Sequence, residues 1–295
     1  MGDSRHPLYY LMISTVVNIA LDLLLVGGLG MGVGAAAMAT TISQGLSALL
    51  CCLRLIRVKE PYQLKLRSIR YDLPSLKSII RFGLPSGVQN SVISIANVVV
   101  QTNINNFGDA AMAGCGSYSK LEGFAFLPVT CFTMALSTFV GQNLGAKKYD
   151  RVKKGVGFGI VCACLMAETI GIIFYTFAPK LIGFFGGSQE VVDFGTRHMR
   201  TICLFYCLLA FSHCMAAIMR GAGKATVPMY TMLLCWCLIR VSYITIAVRY
   251  VNELTTVSRA YPITWTLSSI IFLIYFLKAD WIHNFDRIES ASRKC

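Results

Sequence analysis

Charged residues are scarce in this sequence, and acidic residues are the scarcest. Asp, Glu, Lys and Arg make up only 14% of the 295 residues, and Asp and Glu together number 14. Hydrophobic residues account for 55%, and the mean hydropathy is +0.61. One soluble core could not enclose so much apolar surface. The composition therefore excludes an ordinary soluble protein and predicts a protein that lies in a membrane.

Histidine is also rare, with four residues, and only His213 falls inside a long apolar run. The sequence has no HExxH motif, no pair of interfacial carboxylates and no Ser/His arrangement, so it does not predict an enzyme. The 12 cysteines lack the histidine spacing of a zinc site, and a thiol in an apolar helix behaves as a small hydrophobic group. We therefore expect no metal site and no cofactor.

Long apolar runs recur along the whole chain, and each is long enough for a helix to cross a hydrocarbon core ~30 Å thick. The runs are Leu8–Gly28, Met31–Leu53, Phe82–Phe107, Phe124–Asn143, Gly155–Phe177, Met199–Met219, Val227–Val248 and Tyr261–Leu277. The sequence therefore predicts an all-α fold: a polytopic membrane helical bundle of eight transmembrane helices.

Basic residues are distributed unequally between the two sides of this predicted bundle. Of the 27 Lys and Arg residues, 20 fall on the side that holds both termini, and five fall on the opposite side. Cytoplasmic loops accumulate such residues. We therefore expect a multi-pass protein of the bacterial inner membrane with both termini in the cytoplasm, a basic cytoplasmic loop at 54–81 and a cytoplasmic tail at 279–295. The net charge of +13 then reflects topology rather than nucleic-acid binding, and the predicted partner is the lipid bilayer. The oligomeric state is not predicted.

The third apolar run carries polar residues at helical spacing, so they share one face of a membrane helix. They are Asn90, Ser94, Asn97, Gln101 and Asn105. A stripe of this kind is typical of a water-filled or substrate-lined cavity. The alternative is a set of hydrogen bonds between helices, which membrane proteins also use.

Charged residues inside the predicted spans are candidates for function, because each costs at least ~2.5–3.5 kcal/mol at the centre of a bilayer. Asp22, Glu168 and Arg240 lie at similar depth, and Glu122 lies where the fourth span begins. Asn18 precedes Asp22 by one helical turn. Glu168 and Arg240 have opposite charges and could instead form a buried structural ion pair, so two interpretations of Arg240 stay open: that pair, or a cavity residue.

Several motifs resemble, in order and spacing, those of the MATE (multidrug and toxic compound extrusion) family of transporters. The motifs are Asn18-Ile-Ala-Leu-Asp22, Phe82-Gly83-Leu84-Pro85, Gly141-Gln142-Asn143-Leu144-Gly145-Ala146 and Arg220-Gly221-Ala222-Gly223. The resemblance implies a fold of twelve helices in two six-helix lobes. Residues 1–53 would supply the last two helices of the N-lobe, and residues 82–278 would supply the whole C-lobe. The first four helices of the family would be missing.

The resemblance also implies a secondary active antiporter that exports small amphipathic, often cationic, xenobiotics in exchange for Na⁺ or H⁺. The ion-coupling candidates are then Asp22, Asn18, Glu122 and Glu168. One branch of the family uses acids on its seventh and tenth helices, but Phe82–Phe107 and Met199–Met219 contain no Asp or Glu. Two alternatives stay open: a lipid-linked oligosaccharide flippase of the same superfamily, and an inactive membrane fragment.

Overall fold

The computed structural model describes residues 5–60, 63–65 and 72–282, and this part of the chain contains helices and no strand. It forms two compact units, Met1–Leu73 and Pro74–Cys295. The helices are α1 (Arg5–Gly28), α2 (Val33–Arg57), α3 (Leu73–Asn105), α4 (Asp109–Gly145), α5 (Tyr149–Gly183), α6 (Gln189–Gly221), α7 (Thr226–Tyr250) and α8 (Leu254–Lys278). The predicted all-α fold is therefore confirmed.

Among the described residues, seven of these helices are long and apolar enough to cross a membrane. The exception is α3, which is long enough at 33 residues but does not reach the same hydropathy. Its polar residues, which include Gln89, Asn97 and Gln101, lower the average. The predicted count of eight spans is therefore only approximate.

Several helices extend beyond the predicted apolar runs, and two of these differences change a predicted connection. The predicted runs Phe82–Phe107 and Phe124–Asn143 leave a connection that includes Gly108–Tyr118, but α4 begins at Asp109 and runs through it. Its small residues pack against α6, and this tertiary contact keeps a polar stretch helical. At the predicted loop 54–81, α2 continues to Arg57 and α3 begins at Leu73, so the connection between helices is shorter than expected. The predicted tail at 279–295 lies outside the described residues from position 283 onward.

The first unit contains the hairpin of α1 and α2. Gly30 makes the turn between them with a φ of +64°, a conformation that glycine adopts at little cost. Small buried residues, Ala35 and Ala39, lie at the contact between the helices. The Ser14 hydroxyl donates a hydrogen bond to the Ser43 carbonyl at 2.6 Å. Small side chains and hydroxyl bonds are the usual means by which membrane helices pack closely.

The second unit has α6 at its centre. In its apolar window 67% of residues are buried, compared with 22% in α4 and 28% in α5. The helices α4 and α5 pack against α6, and α8 also contacts it. The helix α3 packs through Val100 and Ile104 into a second apolar cluster, which includes Ile244 and Val257. Large apolar side chains such as Phe124, Phe158 and Leu165 are exposed on the outside, as expected for surfaces in contact with lipid.

Candidate functional site

The second unit contains a cavity of about 410 Å³ that is lined by residues from α3, α4, α6, α7 and α8. Its polar lining includes Asn97 and Gln101 on α3, Glu122 on α4 and Arg240 on α7. Sequence analysis selected all four residues individually, and the structure brings them to one place. Their convergence on one open cavity makes it the candidate binding site.

Aromatic rings form most of the remaining wall. The His213 ring lies edge-on to Phe126 at 4.8 Å and to Trp236 at 5.4 Å, measured between ring centroids. Trp265 continues the cluster, 5.8 Å from Tyr261 and 6.5 Å from Trp236. Such a wall offers large apolar faces to a flat ligand, while the Tyr and Trp side chains also carry polar edges.

Sequence analysis missed these rings because it searched the spans for polar residues. A signal was nevertheless present. Trp236 precedes Arg240 by four residues, and Tyr261 precedes Trp265 by the same interval, so each pair shares one helix face.

Arg240 is the most deeply buried charge of the site, with 1% of its surface exposed. Its Nη2 donates to the Thr264 hydroxyl at 2.9 Å, and its Nη1 donates to Asn97 Oδ1 at 3.5 Å. The guanidinium carbon lies 4.8 Å from the centroid of Trp236 and 4.7 Å from that of Tyr261, within range of cation–π attraction. Within the described residues its Nε has no hydrogen-bond partner.

The backbone of α7 positions Arg240 in an unusual way. The segment Leu233–Ile239 forms a π-helix, and the Arg240 N–H closes it by bonding to the Cys235 carbonyl five residues back. Segments of this kind occur frequently at functional sites. Here the wide turn ends directly at the residue that carries the charge.

Glu122 lies on α4 and lines the same cavity. One carboxylate oxygen accepts a hydrogen bond from the Tyr118 hydroxyl at 3.0 Å, and that hydroxyl lies 3.1 Å from the hydroxyl of Tyr206 on α6. His198 packs edge-on against Tyr118 at 4.8 Å, and its Nδ1 lies 2.7 Å from the Ser258 hydroxyl. Hydrogen bonds therefore connect the carboxylate to α6, and the ring contact between Tyr118 and His198 adjoins a separate hydrogen bond to α8.

The polar stripe on α3 divides into two groups. Asn97 and Gln101 line the cavity, whereas the lining does not include Asn90, Ser94 or Asn105. The Ser94 hydroxyl donates to the Asn90 carbonyl of its own helix, and Gln101 Nε2 donates to Asn105 Oδ1 at 2.9 Å.

A further polar residue of α3 lies outside the predicted stripe. Gln89 is 4% exposed, and its Oε1 accepts a hydrogen bond from Arg220 at 3.4 Å. It occupies the position next to Asn90, so the stripe pattern could not reveal it.

Glu168 does not pair with Arg240, so the ion-pair interpretation of Arg240 was wrong. Its Oε2 accepts a hydrogen bond from the Cys207 backbone N–H at 3.0 Å. The 3₁₀ turn Cys203–Phe205 interrupts α6, which frees backbone N–H groups where the following α-helix starts at Tyr206. A carboxylate is a favourable acceptor at the N-terminal end of a helix. Arg240 lies in the cavity instead.

In the first unit, Asn18 and Asp22 lie one helical turn apart on α1. The Nδ2 of Asn18 and the Oδ1 of Asp22 are both buried, and neither has a hydrogen-bond partner within residues 5–60, 63–65 and 72–282. Asp22 directly precedes a π-helical segment, Leu23–Gly28. A donor and an acceptor without partners, close together inside a predicted span, form a second candidate site.

The motif Gly141–Ala146 forms the end of α4 and the turn into α5. The Asn143 side chain donates to the Phe139 carbonyl at 2.8 Å, and the Asn143 carbonyl accepts from the Lys148 N–H at 2.9 Å. Gly141 lies near the backbone of α6 at Gly221, where an added Cβ would be 3.5 Å from the carbonyl oxygen. The most specific motif of the sequence therefore shapes a helix end and does not line the cavity.

Long apolar helices around a polar and aromatic cavity define a multi-pass membrane protein with a candidate binding site. A family model described as MatE matches residues 85–246, more than half of the chain. The chain therefore belongs to the MatE family, as the motifs predicted.

Two curated relatives illustrate the similarity. The chain is 26% identical over 283 residues to the "Probable multidrug resistance protein YoeA" of Bacillus subtilis (strain 168), covering 93% of this chain and 61% of that protein. It is 25% identical over 199 residues to the "FAD transporter" of Shewanella oneidensis, covering 65% of this chain and 43% of that protein. The chain thus spans about 61% of the length of the first of these relatives.

A solved structure has the same fold. The outward-facing conformation of a multidrug resistance MATE family transporter of the MOP superfamily superposes with a TM-score of 0.85 at 21% identity. The superposition covers 99% of this chain and 64% of that one.

Proposed function

We propose that this chain is the part of a secondary active antiporter that binds small amphipathic compounds and exports them in exchange for Na⁺ or H⁺. The observation that carries the proposal is the cavity in the second unit, where Asn97, Glu122 and Arg240 converge beside an aromatic wall. Relatives that are named as multidrug resistance proteins support the same class of activity.

The cavity suits an amphipathic compound in size and chemistry. Its volume of about 410 Å³ lies within the range of about 300–1,000 Å³ that is common for small-molecule sites. Trp236 and Trp265 offer apolar area, while the polar groups of α3, α4 and α7 can fix the orientation of a ligand. One relative is named as an FAD transporter, which extends the candidate substrates from drugs to other aromatic compounds.

Asp22 is the favoured group for the coupling ion, with Asn18 beside it. An acceptor oxygen that is buried without a partner is costly, and a bound Na⁺ or a proton would remove that cost. Glu122 is the second candidate, because it faces the cavity and already accepts one hydrogen bond. Glu168 is the weakest candidate, because its carboxylate accepts the Cys207 backbone N–H.

We further propose that the basic loops face the cytoplasm of a bacterial cell, with the protein in its inner membrane. The support is the unequal distribution of the 27 Lys and Arg residues. A protease-sensitive tag after Cys295 should be protected in intact cells and cleaved in inverted membrane vesicles. Cleavage in intact cells would reverse the assigned orientation. The relatives reported above do not favour the flippase alternative.

The test is efflux from cells that lack their own multidrug pumps. The cells are loaded with two aromatic dyes of opposite charge: ethidium, which is cationic, and carboxyfluorescein, which is anionic. Expression of the chain should lower the retention of at least one dye in energised cells and not in de-energised cells. Retention of both dyes at control levels, with the protein confirmed in the membrane, would overturn the proposed function and favour an inactive fragment.

Two variants test the ion assignment. Asp22→Asn and Glu122→Gln each remove a carboxylate with little change of shape, and we expect the first to abolish energised efflux. Asp150→Asn is the matched control, because Asp150 is exposed at the start of α5. If both Asp22→Asn and Glu122→Gln exported as well as the unmodified chain, the ion assignment would be wrong.

A further inference from the structure

The charge of the Arg240 guanidinium is not balanced by any carboxylate in contact with it. Both of its hydrogen bonds go to neutral oxygens, those of Asn97 and Thr264. Glu122 lines the same cavity, but its carboxylate bonds to Tyr118 and forms no ion pair with Arg240 in the described part of the chain. Arg240 therefore brings a positive charge to one end of the cavity.

A buried guanidinium without a carboxylate in direct contact is expensive unless other groups compensate for the lost water, and Glu122 offsets part of its charge from across the cavity. The rings of Trp236 and Tyr261 attract the cation, and two N–H groups have neutral acceptors. The Nε–H is left without any acceptor among the described residues, and the whole side chain is 99% enclosed. A buried donor without an acceptor is uncommon in folded proteins, and a ligand in the adjoining cavity would satisfy it.

The shape of the guanidinium indicates what would complete the site. Its donors lie in a plane and form a fork that matches two oxygens of a carboxylate or phosphate group. Asn97 Oδ1 is 3.5 Å from Nη1, which is a long contact that a charged oxygen could replace. The adjoining aromatic wall would hold a flat ring connected to that anionic group.

We propose that this cavity binds an aromatic compound that carries an anionic oxygen group, with the carboxylate or phosphate held by Arg240. The inference rests on the proposed function only in taking the cavity as the substrate site. It differs from the expectation of cationic substrates, which came from the resemblance to the family. The chemistry is that of an oxyanion, which a soluble compound or a lipid headgroup could supply, and the aromatic wall favours the soluble compound.

The test compares three ligands of nearly the same shape: 2-naphthoate, which is an anion, 2-naphthamide, which is neutral, and 2-naphthylmethylammonium, which is a cation. Binding to the purified full chain in phosphatidylcholine nanodiscs is measured by calorimetry, and the signal of empty nanodiscs is subtracted. We expect 2-naphthoate to bind at least about tenfold more tightly than either of the others, as is typical for a hydrogen bond to a charged group. Equal or tighter binding of the cation or the amide would overturn the proposal.

Two variants test whether Arg240 causes the preference for the anion. Arg240→Gln removes the charge and should abolish the preference for the anion. Asn97→Asp is nearly isosteric and places a carboxylate beside the guanidinium. This carboxylate should pair with Arg240 in place of the ligand and weaken 2-naphthoate binding at least about tenfold. The second variant keeps the proposal testable if Arg240→Gln does not fold. Asn106→Asp is the matched control, because Asn106 is exposed beyond the end of α3 and does not line the cavity. Unchanged binding in Asn97→Asp would contradict the assignment.

A second lipid composition separates the two sources of the oxyanion. In nanodiscs that contain phosphatidylglycerol, the affinity for 2-naphthoate should stay the same if the site takes a soluble aromatic compound. A severalfold loss that persists at high ionic strength, where the negative charge of the membrane surface is screened, would mean that a lipid headgroup competes for Arg240, which would overturn the aromatic-compound assignment. Because binding is measured without an ion gradient, a failure of efflux and a failure of anion binding can be told apart.

Discussion

A close contact between two helices of the second unit provides a sharp test of the packing. Gly114 on α4 faces Gly195 on α6. A Cβ at Gly114 would lie 2.5 Å from the Val191 carbonyl oxygen and 2.7 Å from the Gly195 nitrogen. Both atoms belong to the backbone of α6, so they cannot rotate away from an added methyl group. Gly114→Ala must therefore push the two helices apart.

A second glycine on the same helix supplies the control. Gly116 lies two residues further along α4, and an added Cβ there would meet nothing within 4 Å. Each alanine gains about 1 kcal/mol in helix propensity, and this gain cancels when the two variants are compared. What remains is the cost of overpacking at Gly114, about 1–3 kcal/mol.

The chain carries its own reporters of unfolding. Cys115, Cys203, Cys214 and Cys235 are free and buried, so once accessible thiols such as Cys52 and Cys131 have been blocked, a thiol-reactive fluorophore labels these four only when the unit opens. Unfolding in mixed micelles of rising SDS content then gives the free-energy difference. Gly114→Ala should unfold at lower SDS than the unmodified chain, and Gly116→Ala should unfold at the same or higher SDS. Equal midpoints for the two variants would refute the close approach of α4 and α6.

Three further predictions concern stability: the first two use the same thiol assay, and the third, which lies in the first unit, is followed by circular dichroism in the same SDS titration. Glu168→Leu should cost about 1–3 kcal/mol, because it leaves the Cys207 N–H without its acceptor, whereas Glu168→Gln keeps an acceptor oxygen and should cost less; equal losses would contradict the capping role. Ser212 is fully buried and its hydroxyl lies 2.9 Å from those of two serines on α8, so Ser212→Ala should cost about 0.6–1.7 kcal/mol, and no loss would show that the network adds no stability. Ser14→Ala should cost about 0.6 kcal/mol through the lost bond to Ser43, and a larger loss would point to packing rather than hydrogen bonding.

Composition and periodicity were sufficient to predict the membrane fold and part of the site. The helical spacing of Asn97 and Gln101 placed both on one face, and both line the cavity. Apolar runs located the helices because a backbone in lipid must satisfy its hydrogen bonds internally, as a helix does. The start of α4 escaped this reasoning, since its first turns are polar and small, and only their contact with α6 shows why they are helical.

The partners of the charged residues could not be predicted, because the depth of a residue in the membrane does not determine which side of the helix its side chain lies on. Glu168 and Arg240 were placed at the same level, yet Glu168 bonds to the Cys207 N–H and Arg240 bonds to Asn97 and Thr264. The target of Glu168 exists only because a 3₁₀ turn interrupts α6. No pattern of residue types in the sequence predicts that interruption.

The direction of Arg240 has a comparable cause. A π turn holds one more residue than an α turn. Each side chain after the π turn therefore points about 100° away from the direction that the same position would have in a regular α-helix. Arg240 comes directly after the π segment Leu233–Ile239 and closes it through its own N–H. Asp22 borders another such segment, Leu23–Gly28, in the first unit. Both charged residues therefore lie where the helix departs from regular geometry, and each keeps an unpartnered polar atom among the described residues. A regular helix with satisfied hydrogen bonds would be more stable if these positions served packing alone. The irregular backbone and the unpaired hydrogen-bonding atom together favour ligand binding at both positions.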